Sequence, residues 1–214
     1  MSGREERGGR SASARARASD SREALLDAAE SLLVEVGYGG ITTRVLARAA
    51  GVNQGLVHYY FGTIDEVLVQ VLERFTTRLI ERQREMYEAD MPFVEKWRTA
   101  MGYLDEDMAS GYQKIWLELQ ALAWNRPEIS ARVARVDDEW RDVLNEAFGR
   151  AMREFGIDRR RYPTEAVVAL VGTFNLGMIV ERHVGCTRGH QALLRMIDRW
   201  LDELEAGREP AEGV

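Results

Sequence analysis

Within the short run Gln54–Tyr60, four side chains (Gln54, His58, Tyr59 and Tyr60) can exchange hydrogen bonds with polar or charged groups, and Arg44 lies just upstream. Side chains of these types bond phosphate oxygens and the edges of bases. A helical hairpin that only fills a core has little use for His58, Tyr59 and Tyr60 in succession, so the run points outward, toward nucleic acid. Between Ile41 and Gly62 the only charged side chains are Arg44 and Arg48. That basicity is modest, and it predicts an affinity that leans on dimerisation.

The elements that must hold these residues follow from helix punctuation. Thr42 and Thr43 are hydroxyl N-caps for a helix expected to begin at Arg44. Val45, Leu46, Ala49 and Ala50 form its apolar stripe, and Gly51 stands where a left-handed residue can end it. Val52 can plug the turn, and Asn53 can cap a second helix from Gln54 to about Tyr60 with Val57 and Phe61 turned inward. Ala47, Ala50 and Gly51 are small enough for the two helices to cross closely. Two short helices joined by a tight glycine turn form a helix-turn-helix. The same punctuation suits an ordinary hairpin; the polar aromatic run is what separates the two readings.

Three runs carry a family resemblance: Thr42-Thr43-Arg44, Leu46-Ala47-x-x-Ala50-Gly51-Val52 and Gly55-x-Val57-His58-Tyr59-Tyr60-Phe61. Together they resemble the DNA-binding domain of the tetracycline-repressor (TetR) family, over roughly Arg22 to Leu72. The resemblance implies that Thr43 and Arg44 start the helix straddling the DNA backbone. It also implies that Gln54, Gly55, Leu56 and Tyr59 face bases and that His58 and Tyr60 touch phosphates. Thr42, Asn53 and Thr63, at the helix starts, complete the expected DNA-binding set. Two positions depart from the family pattern. His58 stands where many members have tyrosine, and Ile64 where many have a lysine. The missing cation should flatten the salt dependence of binding by about one unit of slope. Thr63 with Glu66 reads as a capping box, leaving backbone N–H groups free for a phosphate.

The whole chain of 214 residues is 45% apolar and 30% charged with only four prolines, so it has a globular composition and ample material for a core. No alternating β-branched run occurs, and the expected fold is all-α, with about nine helices. The net charge of −6 sits mostly in the C-terminal two thirds, which leaves local patches to govern DNA contact. One cysteine, Cys186, and no secretory apolar segment read as a cytoplasmic protein, and no uncharged run reaches membrane-spanning length.

In order along the chain, residues 1–20 read as a disordered basic arm whose Arg4, Arg7, Arg10, Arg15 and Arg17 suit phosphates or a minor groove, or simply solvent. Residues 21–62 form the helix-turn-helix domain, opened by a helix capped at Asp20 or Ser21. Residues 63–206 form a regulatory, ligand-binding and dimerisation domain, begun by a connecting helix over 63–88; residues 207–214 are a flexible tail. Helices follow over Pro92–Ala109, Tyr112–Trp124, Pro127–Phe155, Thr164–Val184 and Gln191–Glu205. The helix from Thr164 is apolar nearly all round and must be buried on every face, which in so small a domain calls for a second copy. The last two helices are therefore expected to form a four-helix homodimer seam, a pair that the resemblance also implies.

Trp97, Met101, Met108, Tyr112, Trp116, Trp140 and Met178, with Gln120 and Asn175 as polar groups, suit a pocket for a small apolar or amphipathic effector; each is also ordinary core material. His183, Cys186 and His190 straddle a glycine-marked helix break and make a poor metal set. The carboxylate runs Asp105-Glu106-Asp107 and Asp137-Asp138-Glu139 fan around their helices, mostly toward water, and no phosphate loop or nucleophile elbow accompanies them. The expected function is a dimeric, ligand-responsive regulator, a repressor on a palindromic double-stranded DNA operator, with no catalytic residues, no metal and no cofactor. The alternative is a helical small-molecule-binding protein or enzyme with a degenerate DNA-binding motif.

Overall fold

The computed structural model describes the backbone of residues 5–207 and the side chains of residues 18–207. Among the described residues the chain forms nine α-helices, a short 3-10 turn at Tyr38–Gly40 and no strand. The helices are α1 (Glu5–Val36), α2 (Thr43–Ala49), α3 (Gly55–Phe61), α4 (Ile64–Glu88), α5 (Phe93–Ala109), α6 (Tyr112–Ala123), α7 (Pro127–Glu154), α8 (Thr164–His183) and α9 (His190–Glu205). The all-α architecture is the one the sequence predicts.

Two helix starts differ from the prediction. α1 is helical from Glu5, where the sequence places its start at Asp20 or Ser21. Alanine and arginine are strong helix formers, so a helix anchored at Leu25 and Leu26 propagates back through Ala14–Ala18. The arginines read as a basic arm, and residues 208–214 of the expected tail, lie outside the described side chains. The second differing start is that of α3, which begins at Gly55 where the sequence places the start at Gln54.

The chain divides into two compact units. The first takes the chain up to Phe75 together with Lys114–Val133; the second takes Thr76–Gln113 and the chain from Ala134 onward. Helices α4 and α7 each contribute to both units.

In the first unit α1 packs on α2 and α3, and α2 on α3. Leu25, Leu26, Ala29 and Leu33 form the buried stripe of α1, and Leu46, Ala47, Val57 and Phe61 are the buried residues of α2 and α3. Each fully buried leucine contributes about 1.5–3 kcal/mol, which is what holds helices as short as α2 and α3. Ion pairs cross-brace the helices around this core. Arg74 of α4 reaches Asp27 at 2.7 Å and Glu30 at 2.6 Å on α1. Arg132 of α7 reaches Glu66 and Glu73 of α4, each at 2.5 Å. Arg126 pairs with Asp65, whose other oxygen accepts from the Tyr38 hydroxyl at 3.0 Å, and Glu118 of α6 accepts from the Tyr38 backbone N–H.

The second unit is built on Ile80, Met86, Tyr87, Val94, Trp97, Val143, Leu144, Phe148, Val168 and Leu201. Arg82 donates to both oxygens of Asp107, at 2.9 and 2.7 Å, and lies over the Tyr103 ring 4.1 Å from its centroid. Burial pushes the Asp107 carboxyl above its ordinary range, an effect the Arg82 guanidinium only partly opposes. The run fans around its helix as expected: Asp105 and Glu106 are exposed, pairing with Arg182 and Arg82, while Asp107 is 6% exposed and neutralises Arg82. On α7, Asp138 and Glu139 are exposed and Asp137 pairs with Arg141. One face of α8 is uncovered within the chain: Leu170 is 70% exposed, and Leu176, Val180 and, just beyond the helix, Val184 lie open as well. α9 adds Met196 and Trp200 to the exposed apolar surface.

Candidate nucleic-acid interface

The reading pair begins at Thr42, whose extended backbone and hydroxyl cap α2; its Oγ1 accepts from the Val45 N–H at 3.2 Å. At the other end Gly51, with φ +66°, donates to the Arg48 carbonyl, and the Val52 N–H bonds back to Ala47 at 3.0 Å. This is the Schellman ending that glycine supplies without the strain of a Cβ.

α3 begins at Gly55, one residue later than the sequence predicts, because Asn53 builds a tight turn first. Its Oδ1 accepts from the Gly55 N–H at 2.8 Å, and its carbonyl accepts from the Leu56 N–H at 3.0 Å. Gln54 thus sits in the turn, exposed, ahead of the helix. At the C-terminal end Gly62, with φ +73°, donates its N–H to the His58 carbonyl, and His58 Nδ1 lies 2.9 Å from the Gly62 carbonyl. Tyr60 meets the Tyr59 ring edge-on at 5.0 Å and the Phe61 ring at 6.3 Å, so the buried Phe61 anchors a short aromatic row.

With those supports the expected contact residues divide cleanly by exposure. Thr42, Arg44, Asn53, Gln54, Gly55, His58, Tyr59 and Thr63 are exposed, Tyr59 to 77%. Thr43, Leu56 and Tyr60 are half-buried. Val57 and Phe61 turn inward as the spacing demands. The capping box at α4 is half formed. Thr63 Oγ1 accepts from the Glu66 N–H at 3.2 Å, but the Glu66 carboxylate is drawn away to Arg132 and to Gln70, 2.6 Å distant. Burial pushes the Glu66 carboxyl upward, and the hydrogen bonds from Arg132 and Gln70 more than offset it, so the net direction is downward. Sequence reading missed the bracing of this unit by Glu118, Arg126 and Arg132. Glu118 meets Tyr38 across 80 positions of chain, and no local pattern encodes such a pairing.

The residues read as effector-binding are distributed over both units. Trp97, Met101 and Trp140 come together in the core of the second, where Trp140 Nε1 donates to Gln83 at 3.0 Å. Tyr112 and Met178 are buried in that unit too, and Met108 is half-buried with its sulfur 3.8 Å from Arg182. Asn175 is half-buried, and its Oδ1 is buried with no hydrogen-bond partner among the described residues. Trp116 and Gln120 belong to the first unit. A cavity of about 500 Å³ lies beside the α8–α9 connection, lined among others by Arg182, Thr187, His190, Leu194 and Arg195, none of them read as effector-binding. His183 and Cys186 are exposed there, whereas His190 is buried with Nε2 2.6 Å from Glu181.

The sequence model of the bacterial regulatory proteins of the tetR family matches residues 25–71, which span α1 to α4 of the first unit. The transcriptional regulator BetI of Pseudomonas aeruginosa is 26% identical over 155 residues, covering 70% of this chain and 77% of the relative. BetI of Stenotrophomonas maltophilia is 29% identical over 55% of this chain and 61% of the relative. Among solved structures, the regulator FadR from Bacillus subtilis in complex with stearoyl-CoA superposes with a TM-score of 0.66 at 17% identity, covering 86% of this chain and 98% of that one. A transcriptional regulator from Saccharomonospora viridis in complex with choline gives 0.67 at 18% identity, over 87% and 96%. Likeness at these identities is one of fold; the family match over residues 25–71, the BetI relatives, the capped reading pair and its outward polar row support a transcriptional regulator similar to those of the TetR family.

Proposed function

We propose that the protein is a homodimeric repressor that reads a near-palindromic operator with α3 and is released by a small apolar or amphipathic effector. The observation that carries this reading is the surface of α3. The Asn53 turn exposes Gln54, and the two-turn helix that follows, fixed by Gly62 and Phe61, exposes His58 and Tyr59; Arg44 of α2 is exposed as well. Arg44 would bond the DNA backbone; Gln54, Gly55, Leu56 and Tyr59 would face base edges; His58, Tyr60 and the capped start of α4 at Thr63 would meet phosphates. Two such helices enter successive major grooves when their centres lie about 34 Å apart.

The uncovered apolar face of α8, with Met196 and Trp200 of α9, supports pairing of two copies through those helices. The aromatic and thioether core of the second unit, with the unpartnered oxygen of Asn175, supports an effector site there. One solved structure of like fold is a complex with stearoyl-CoA and another a complex with choline, so the fold accommodates ligands of very different chemistry. Because α4 contributes to both units, an effector that tilts it would change the separation of the two reading helices. Effective release requires the effector to favour the spread state by several kcal/mol, of the order of 5. The reading places the protein in the cytoplasm, where operator and effector meet.

The test is enrichment of duplexes from a random-sequence library by the full-length protein, followed by a gel shift on the enriched sequence. A near-palindromic consensus bound by the protein and lost in Arg44→Ala is expected; no enriched sequence even at low salt would end the reading.

A further inference from the structure

His58 stands exposed on α3 with its Nδ1 2.9 Å from the carbonyl oxygen of Gly62. A carbonyl only accepts, so Nδ1 must carry a hydrogen. In the neutral ring that leaves Nε2 with a lone pair and no hydrogen. The Gly62 N–H in turn donates 3.0 Å to the His58 carbonyl, which holds the Gly62 carbonyl within reach of the ring. A neutral His58 would therefore turn a lone pair toward a phosphate oxygen, which is repulsive, while the protonated ring would offer a charged donor. We propose that His58 engages a DNA phosphate only as an imidazolium, so that wherever the free ring is neutral each reading helix takes up a proton on binding DNA. The inference rests on the DNA-binding reading above and adds a regulation to it: operator affinity is coupled to pH.

The charge environment comes from the elements around α3. α2 brings the exposed Arg44 and Arg48. α1 brings Arg22, whose guanidinium lies 5.6 Å from the Phe61 centroid, while its Glu23, Asp27 and Glu30 are taken up by Arg74. Asp20 and Glu35 of α1 are exposed toward the ends of its described stretch. At the start of α4, Asp65 is paired with Arg126 and Glu66 with Arg132. On α3 itself the remaining titratable groups are Tyr59 and Tyr60. Asp65 and Glu66, the acids at the start of α4, are thus already matched by arginines. The chain has three histidines, and the other two, His183 and His190, belong to the second unit.

The sign follows from linkage. A phosphate at Nε2 favours the charged ring, so the bound state holds its proton to higher pH than the free state, and affinity falls as pH rises through that window. The experiment uses the full-length protein and the duplex it enriches from a random library, with affinity read by fluorescence anisotropy from about pH 6 to about pH 8, where imidazoles titrate. Affinity should fall about tenfold per reader across that range, and the salt slope should be shallower by about one unit per reader at the upper end. His58→Gln should bind with an affinity flat in pH to within about twofold, and His58→Tyr, which donates without taking up a proton, should be flat and remain tight at high pH. The His58 ring proton resonances, followed by NMR, should titrate at higher pH with the duplex than without it. A flat wild-type profile, or pH dependence that survives in His58→Gln, would overturn the proposal while leaving DNA binding intact. Failure to enrich any duplex would overturn the DNA-binding reading and this coupling with it.

Discussion

At the scale of single residues, stability and recognition are assigned to different side chains of the same short segment. Tyr59 is 77% exposed, so Tyr59→Ala should change the unfolding free energy by less than about 0.5 kcal/mol, yet weaken binding of the enriched duplex by about 1–3 kcal/mol. Gly62→Ala should do the reverse to stability. A Cβ at φ +73° is strained whatever the space around it, and the expected loss is about 1–2 kcal/mol by urea unfolding. Thr42→Ala should cost about 1 kcal/mol through its lost cap. These positions were legible in the sequence because caps and turns are local: a hydroxyl three residues ahead of a free N–H, or a glycine after an apolar stripe, needs no distant partner. Gln54 was misplaced into the helix because the side chain that decides the start is Asn53, which bonds the Gly55 N–H and so holds Gln54 in the turn.

At the scale of elements, the reading helices are too short to stand alone, and what fixes them comes from far along the chain. Glu118, Arg126 and Arg132 brace Tyr38 and the start of α4, and the sequence could not announce them because ion pairs carry no periodicity. Their energetics are modest; half-exposed pairs are worth about 0–1 kcal/mol each. Their pH dependence has a definite sign. The Glu66 carboxyl is pushed up by burial but held net below its ordinary range by Arg132 and Gln70. Its contribution is therefore complete above the unfolded carboxyl range, about pH 4.3, and is lost as pH falls through the lower folded value. Melting curves of the wild type and of Arg132→Ala should differ at neutral pH and converge below about pH 4; a constant gap would mean that the pair does not act through ionised Glu66.

At the scale of the whole molecule, α8 has more apolar surface than one chain covers. The sequence showed this as an apolar helix without a polar face, and the structure leaves Leu170, Leu176 and Val180 exposed in the single chain. A charge placed at Leu170 should be tolerated by the monomer and not by a paired seam. Leu170→Glu is expected to sediment as a monomer with an unchanged helical spectrum, and to lose most of its operator affinity because each reading helix then binds alone; a dimer of wild-type mass would move the seam elsewhere. The proposed effector site was less legible, because tryptophan and methionine fill cores and line pockets with the same spacing; among these residues the unpartnered Asn175 oxygen is the observation that favours a pocket. The composition of the first unit, finally, bears on protein engineering. Its Tyr38 amide, Asp65, Glu66 and Glu73 all find their partners on Lys114–Val133. A gene fragment ending at Phe75 would part these groups from their counter-charges, so a chimera that moves this reader onto a foreign sensor must transplant two stretches of sequence rather than one.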